Sequence, residues 1–271
     1  MQAASRSAML LDLYTSLTTP CSPIIRRMGY LNEAIEMRGR ARRHQAAWQP
    51  HLDNTRSFIL SSAEKCRNRS KAVILGSGLL LDVPLAEISS MFREVVLMDV
   101  VCLREVRKQI RIYHNVSFIE CDVTNAAERL YRNGLKGIHD LPESVPSVLG
   151  LGQDCGLVVS LNILSQLWVV PRAYASQRMR GLDEYAFDEW CGWIVAAHYA
   201  LLRSLSCDIC LVADHEFVKR NSEGMVISRG STVFGLELPR PDASWTWNIA
   251  PIDEASRAFS KELIVGAWHN R

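Results

Sequence analysis

From Lys71 onward, short apolar runs alternate with amphipathic segments, and this alternation constrains the fold more than any other feature of the sequence. Buried parallel strands are near-continuous apolar runs, and the helices that connect them carry one apolar stripe. The alternation therefore predicts an α/β protein with a doubly wound, mostly parallel sheet. The predicted parallel strands are Ala72–Leu75, Val95–Met98, Val116–Glu120, Leu157–Leu161 and Ile209–Ala213.

The segments between these strands carry helical signals. After the first strand, Asp82 is expected to cap a helix whose first turn contains Pro84. After the second strand, apolar residues recur at intervals of three and four from Leu103, which predicts another helix. The remaining predicted helices are a short one over Ala126–Tyr131 and a long one over Asp183–Leu205.

The last third of the chain departs from this rhythm. Its predicted strands are Met225–Ile227, Thr232–Leu238, Ser244–Ile249 and Leu263–Trp268. The pair around Pro251 is expected to close the sheet with an antiparallel hairpin. The segment Leu135–Gln153 is rich in Gly and Pro and is expected to form an exposed loop. No domain boundary is expected within residues 71–271.

Residues 1–70 are predicted to form a separate helical extension in which Pro50 ends one helix. This segment holds eleven Lys and Arg residues against five acidic ones, whereas the whole chain carries a formal charge of only +2. The basic run Arg38–Arg43 is typical of a solvated helix face, and the alternative is recognition of an anionic acceptor. The extension could cover the sheet edge as a lid, with His44, Trp48, His51 and Arg56 toward the cofactor and acceptor. The alternative for Trp48 and His51 is packing between an N-terminal helix and the core.

Composition excludes several classes of protein. With 271 residues, 48% of them hydrophobic, the chain is neither disordered nor collagen-like. The basic bias is too weak for a dedicated nucleic-acid binder. The eight cysteines are dispersed, so reduced thiols are expected, and the Cys207 and Cys210 pair is interpreted as core cysteines on opposite strand faces rather than a metal site. The absence of a signal peptide and of a long apolar run predicts a cytoplasmic protein.

A glycine turn follows the first predicted strand. Gly76-Ser77-Gly78 suits a tight turn in which the backbone approaches a ligand, although a plain strand-to-helix turn has the same composition. Asp99 ends the second strand about 20 residues later, the separation at which an acidic residue meets a ribose hydroxyl in nucleotide-binding βαβ units.

The third strand is followed by Asp122 and Val123, which are placed to receive an adenine amino group and to pack on its ring. The alternative role for Asp122 is to cap the next helix. Together, the three strand ends would line the sheet edge at which open α/β folds bind ligands.

In these features the chain resembles the class I S-adenosylmethionine-dependent methyltransferases, which have a Rossmann-like fold. The resemblance implies a seven-stranded sheet, which the closing hairpin suits. The resemblance covers Lys71 to Ala213 and rests on Val73–Gly78, Asp99, Asp122 and Asp154–Asn162. It implies S-adenosylmethionine as the cofactor and a small-molecule methyl acceptor. By this resemblance, Gly76, Ser77 and Gly78 would approach the methionine portion, Asp99 and Val100 the ribose, Asp122 and Val123 the adenine, and Ser160 and Leu161 the sulfonium.

Two positions depart from the family pattern. Leu80 stands where members often have a third glycine, and Leu75 stands where many have an acidic residue. A dinucleotide pyrophosphate depends more on the third glycine than adenosylmethionine does, so Leu80 disfavours the alternative of an NAD-dependent oxidoreductase. A carboxylate at Asp99 would also repel the 2′-phosphate of NADP. A non-catalytic module that acts through a protein partner remains a further alternative.

The acceptor side offers fewer signals. His215 follows the fifth strand and is the best-placed candidate base in the sequence, although a loop histidine is more often solvated. His51, Arg56 and Asn162 are the other candidate acceptor contacts. No metal site is expected, and no motif identifies the acceptor or the oligomeric state.

Overall fold

The computed structural model describes residues 11–147, 154–252 and 258–270. Its helices are α1 (residues 11–18), α2 (Pro23–Met28), α3 (Tyr30–Arg43), α4 (Gln45–Lys65), α5 (Leu85–Met91), α6 (Arg104–Ile110), α7 (Ala127–Lys136), α8 (Val169–Arg178) and α9 (Glu184–Ser204). Its strands are β1 (Lys71–Leu75), β2 (Glu94–Asp99), β3 (Val116–Glu120), β4 (Cys155–Leu161), β5 (Asp208–Asn221), β6 (Val226–Ser231), β7 (Ala243–Ala250) and β8 (Phe259–Asn270). None of the helices in these ranges has the length and apolar composition needed to cross a membrane.

The strands form one sheet in the order β3-β2-β1-β4-β5-β8-β7, and β6 pairs with the second half of β5. The first five strands are parallel, whereas β8 runs antiparallel to both β5 and β7. The first strand, β1, lies in the middle of the sheet. The next two strands extend the sheet to one edge, and β4 and β5 then extend it on the other side of β1, which is the doubly wound arrangement. The predicted α/β class, the five parallel strands and the closing antiparallel hairpin are confirmed, and β6 adds an eighth strand.

Alternate residues of each parallel strand face opposite sides of the sheet, as strand geometry requires. Ala72 and Ile74 of β1 face a core that α3 to α6 cover. Val73 and Leu75 face the other side, which α9 covers together with α7 and α8. Burial on both sides explains why the parallel strands are continuous apolar runs.

The N-terminal helices pack against the antiparallel end of the sheet. The indole nitrogen of Trp48 in α4 donates a hydrogen bond to the main-chain oxygen of Ile249 at 3.1 Å. The Trp48 ring meets Trp247 of β7 edge to face, with centroids 5.2 Å apart. These contacts bring α3 and α4 over the ends of the strands, where the helices cover the carboxyl edge of the sheet.

Two local predictions near this edge are wrong. Pro50 does not end a helix, because it lies inside α4 and the chain instead breaks at His44. A proline there removes one helical hydrogen bond, but burial of Trp48 and Leu52 on either side keeps the helix continuous. Asp82 does not cap a helix either: α5 starts at Leu85 after an irregular loop, and the Asp82 carboxylate accepts a hydrogen bond from Asn162.

Two further boundaries differ from the prediction. Thr232–Leu238 is not a strand, because Phe234 and Gly235 both have positive φ and form a turn. The Ser231 hydroxyl oxygen stabilises this turn by accepting hydrogen bonds from the amides of Val233 and Gly235. The predicted loop from Leu135 begins only after α7 ends at Lys136, and its residues 148–153 lie outside the described ranges.

Candidate active site

A cavity of about 540 Å³ lies at the carboxyl ends of the strands, beneath the N-terminal helices. Its volume is in the range of small-molecule sites. We call its two sides the β1–β3 half and the β4–β8 half. The β1–β3 half is lined by Gly76–Leu79, Met98–Val101 and Cys121–Thr124, and the β4–β8 half by Ser165, Asp214, Thr232, Trp247, Ile249, Lys261 and Leu263.

The glycine turn forms the centre of the cavity floor. Gly76 has φ +78° and Gly78 has φ +48°, a region of backbone conformation that favours glycine. A Cβ atom at Gly76 would lie 2.0 Å from Cγ2 of Ile163 and 2.8 Å from the main-chain oxygen of Leu161. The turn therefore requires glycine at Gly76 both for its backbone angle and for space. Leu80 also has positive φ, +59°, so the chain keeps a glycine-like conformation there without a glycine.

Asp99 is held beside this turn by main-chain donors. The amide of Gly78 donates to Oδ2 at 2.8 Å, and the amide of Val100 donates to Oδ1 at 2.7 Å. Burial raises the pKa of the Asp99 carboxyl, and these amides oppose that shift. A third amide, that of Val101, also lowers the pKa of the group, so main-chain donors take up to three of its four lone-pair sites and the carboxylate can still accept a hydroxyl proton from a ligand in the cavity.

Asp122 is hydrogen-bonded within its own loop and is not open for the adenine contact that the resemblance implied. Its Oδ1 accepts from the amide and the hydroxyl of Thr124, and its Oδ2 accepts from the amides of Ala126 and Ala127. These four hydrogen bonds use the four lone-pair sites of the carboxylate. The alternative role, capping the start of the next helix, is therefore the one that the geometry supports, and Val123 remains on the cavity wall.

Of the residues at the end of β4, some face the core and others line the cavity. Ser160 does not line the cavity, because its hydroxyl points into the core and lies 3.0 Å from Nε2 of His198 in α9. Leu161 and Asn162 do line it. Asn162 has φ +52°, and its side-chain nitrogen donates to Oδ2 of Asp82 at 2.8 Å. The placement of Ser160 beneath a bound sulfonium is thus wrong, while Leu161 remains available for that position.

His51 is a buried member of the cavity wall. The indole N–H of Trp245 donates to His51 Nδ1 at 3.0 Å, and the imidazole stacks on Trp247 with centroids 4.0 Å apart. Burial lowers the pKa of His51 to about 3, so the ring is neutral at pH 7. Nε2 lies 3.3 Å from the side-chain nitrogen of Asn162, so two donors face the two ring nitrogens, and the neutral ring can accept from only one of them. With its pKa lowered by burial, His51 is a poor base.

The other two predicted acceptor contacts lie outside the cavity lining. Arg56 pairs with Asp53 and donates to the main-chain oxygen of Leu81, so it supports the loop that carries Asp82. His215 is the extra residue of a β-bulge, where Asp214 pairs with Val265 and Glu216 with Ile264. A bulge redirects side chains, and here it places the His215 ring near Trp268 and leaves Asp214 on the cavity wall.

The cavity also contains residues that the sequence did not single out as ligand contacts. They are Tyr30, Glu33, Asp82, Ser165, Asp214, Thr232 and Lys261, and Arg40 of the basic run lines the cavity as well. Tyr30 lines the cavity beside the β1–β3 half. Burial and the charges of Asp122 and Asp99 raise the pKa of its phenol. The one sequence signal for Asp214 was its position at the end of a predicted strand, next to a more conspicuous histidine.

The described cavity lining contains more acidic residues than basic ones. Among the described lining residues, Glu33, Asp82, Asp99, Asp122 and Asp214 are acidic, whereas Arg40 and Lys261 are the cationic ones. Neither cation belongs to the β1–β3 half. The wall around the glycine turn is therefore suited to a ligand with positive charge.

Comparisons with known proteins give distant similarities. No family model matches the chain, and no curated protein matches its sequence. Among solved structures, an N-methyltransferase, NodS, from Bradyrhizobium japonicum bound to S-adenosylhomocysteine is 12% identical, with 82% of this chain and 86% of that one covered and a TM-score of 0.42. The 1,6-didemethyltoxoflavin-N1-methyltransferase of Burkholderia thailandensis is 11% identical, with 82% and 78% covered and a TM-score of 0.36. The fold assignment accordingly rests on the sheet order itself.

Proposed function

We propose that this chain is an S-adenosylmethionine-dependent methyltransferase that acts on a small-molecule acceptor. The observation that carries the proposal is the pairing of the glycine turn with Asp99: the Gly78 amide bonds to the carboxylate on the floor of a cavity at the carboxyl edge of a doubly wound sheet. Open α/β sheets bind nucleotides at this edge, near the point where the strand order reverses.

The residues present fit the cofactor. Gly78 leaves room for the methionine portion, because a Cβ there would have no atom closer than 3.9 Å, and Asp99 keeps lone-pair capacity for a ribose hydroxyl. Within the described chain, the hydroxyl of Ser77 and the side-chain oxygen of Asn162 are buried beside the turn without hydrogen-bond partners. Buried polar atoms of this kind are usually paired, so a polar ligand is a reasonable partner for them. When bound, the cofactor would supply an electrophilic methyl group on a positively charged sulfur.

The protein would contribute alignment and the exclusion of water. Tyr30 and Met37 of α3 and Trp48 of α4 lie on the cavity wall opposite the strand ends. Holding an acceptor atom in line with the methyl group converts a bimolecular reaction into an effectively unimolecular one, which can supply much of the rate. The N-terminal helices would in this view form the roof of the reaction chamber.

Two features of the site disfavour the NAD alternative. A dinucleotide carries a negatively charged pyrophosphate, but the β1–β3 half contains carboxylates and no Lys or Arg among its lining residues. In dinucleotide-binding folds the pyrophosphate also sits at the N-terminus of the helix that follows the glycine turn. Here α5 begins only at Leu85, several residues beyond Gly78.

Calorimetric titration with S-adenosylhomocysteine, S-adenosylmethionine and NAD tests the proposal. We expect the two adenosyl ligands to bind at micromolar concentration and NAD not to bind. The Asp99→Asn variant should bind S-adenosylhomocysteine about tenfold or more weakly, because hydrogen bonds to a charged group contribute about 1.5–3 kcal/mol. Asp140→Asn removes an exposed carboxylate outside the cavity and is the matched control.

Several outcomes would contradict this assignment. Failure of both adenosyl ligands to bind at millimolar concentration would rule out the cofactor. Equal affinities for Asp99→Asn and Asp140→Asn would rule out the ribose role of Asp99. Tight cofactor binding without methyl transfer to any acceptor in a broad screen would favour the non-catalytic module instead.

A further inference from the structure

The β4–β8 half of the cavity contains a carboxylate that the cofactor contacts do not use. Asp214 of β5 is 2% exposed and lines the cavity. The hydroxyl of Ser165 donates to its Oδ1 at 2.6 Å. The Thr232 hydroxyl lies close by and donates to the main-chain oxygen of Asp214 at 3.0 Å. Two neutral hydroxyl groups thus surround an acidic group that is almost entirely removed from bulk water.

This carboxylate has no cationic partner within the described chain. No Lys, Arg or His nitrogen of that part of the chain forms an ion pair with Asp214 within 4.0 Å. Lys261 is the cation that influences the pKa of Asp214, and it acts through space without a direct contact. Burial of an unpaired charge costs several kcal/mol, so such groups normally occur with a partner or a function. The cavity that Asp214 faces is where such a partner could bind.

The order of the strands indicates which ligand would bind beside the Asp214 carboxylate. The residues proposed to hold the adenosine and methionine portions lie at the carboxyl ends of β3, β2 and β1, and Leu161 is the last residue of β4. Asp214 lies on β5, one strand farther along the same edge. A cofactor that extends from β3 toward β4 would direct its methyl group at the space in front of Asp214. The partner of Asp214 would therefore be the methyl acceptor.

We propose, on the basis of the proposed function, that the acceptor is an amine and that Asp214 binds its nitrogen. A protonated amine supplies both the positive charge and the N–H donors that a buried carboxylate lacks. The apolar residues of the same half, Trp247, Ile249 and Leu263, would contact an apolar or aromatic body attached to the amine.

The chemistry balances with the groups named. An ammonium has no lone pair, so one N–H proton must pass to the Asp214 carboxylate, whose pKa burial raises. The neutral nitrogen then forms the new N–C bond as the S–C bond breaks, and the electron pair of that bond stays on sulfur. The product is a methylated ammonium, and Asp214 returns its proton to water when the product leaves.

Three probes that share a phenylethyl group test this proposal without a known acceptor: 2-phenylethylamine, 2-phenylethanol and 3-phenylpropionate, which are cationic, neutral and anionic. Each is titrated by calorimetry with and without saturating S-adenosylhomocysteine. We expect the amine to bind at least tenfold more tightly than the alcohol and the carboxylate. Asp214→Asn should abolish this preference and should still bind S-adenosylhomocysteine. Asp140→Asn, which lies outside the cavity, should change nothing.

The outcomes separate the two proposals. If S-adenosylhomocysteine binds but 2-phenylethylamine shows no binding at 10 mM, or binds no better than the alcohol, the amine assignment is wrong. The assignment is also wrong if Asp214→Asn folds and keeps the preference. If that variant does not fold, the ranking of the three probes on the wild-type protein still decides. Failure of S-adenosylhomocysteine to bind refutes the cofactor, while the titrations without it still show whether Asp214 selects an amine.

Discussion

Gly76 and Gly181 have nearly the same backbone conformation in very different surroundings. Their φ angles are +78° and +81°. A Cβ at Gly76 would overlap Ile163 and the main chain at Leu161, whereas a Cβ at Gly181 would have no atom within 4 Å. The pair therefore separates the effect of backbone strain from the effect of crowding in the cavity floor.

We predict different costs for Gly76→Ala and Gly181→Ala. Gly181→Ala should lower the free energy of unfolding by about 1–2 kcal/mol, the cost of a left-handed alanine. Gly76→Ala should cost a further 1–3 kcal/mol through overpacking and should weaken S-adenosylhomocysteine binding at least tenfold. Urea denaturation and calorimetry measure these changes. Equal losses of stability in the two variants, with cofactor affinity intact in both, would contradict the crowding at Gly76.

At the scale of elements, Arg38 joins three helices. It lies in α3, is 5% exposed, and bonds to Asp12 and Thr15 of α1 at 2.8 and 3.0 Å and to Glu105 of α6 at 3.0 Å. The sequence interpretation of Arg38–Arg43 as a solvated face, or as a site for an anionic ligand, is therefore wrong for Arg38. Arg40 of the same run does line the cavity. Helical periodicity alone could not show which arginine faces another helix.

We predict that Arg38→Met releases α1 locally and leaves the rest of the fold intact. The carboxylates of Asp12 and Glu105 are partly exposed, so they can be rehydrated when the arginine is removed. Hydrogen exchange of residues 11–18 should accelerate at least tenfold, while exchange in α9 stays unchanged. Arg132→Met breaks an exposed pair one helical turn apart, is expected to cost about 0.5 kcal/mol or less, and serves as the control. Unchanged exchange in α1 would show that apolar contacts hold it.

For the whole molecule, stability should depend on pH through buried histidines on both sides of the sheet. His198 is fully buried between α9 and β4, and burial lowers its pKa from 6.5 to about 4. Within the described chain its Nδ1 has no hydrogen-bond partner. His51, on the other side, has its pKa lowered to about 3. The folded state resists protonation of both rings, whereas the unfolded chain accepts these protons below about pH 6.5.

We predict that His198 alone makes the protein less stable in acid by about 3 kcal/mol. Its contribution is constant above pH 6.5, falls as the unfolded chain is protonated between pH 6.5 and 4, and is constant again below pH 4, at about 1.4 kcal/mol for each unit of pKa difference. The difference in unfolding free energy between the wild type and His198→Gln should shrink by that amount over this interval. Buried carboxylates with raised pKa values, such as Asp99, act in the opposite sense and cancel in the comparison. A difference that does not vary with pH would contradict the shift.

The sequence could predict the sheet because its information is local. Apolar runs and amphipathic segments identified the five parallel strands and α9, since burial on both faces imposes that pattern residue by residue. The sequence could not show that Thr232–Leu238 is a turn. The apolar residues of this segment pack on a core, and the same residues would also be expected in a paired strand. Tertiary contacts likewise kept α4 continuous through Pro50.

By itself, the sequence determined the α/β class, the glycine turn and the acidic strand ends. Only the tertiary structure decided what each acid does: Asp99 faces the cavity and can accept a ligand proton, the donors of its own loop occupy Asp122, and Asp214 replaces His215 on the wall. The physical reason is that strand spacing and glycine angles follow from nearby residues. The partner of a carboxylate depends on bulges and loops that bring distant parts of the chain together.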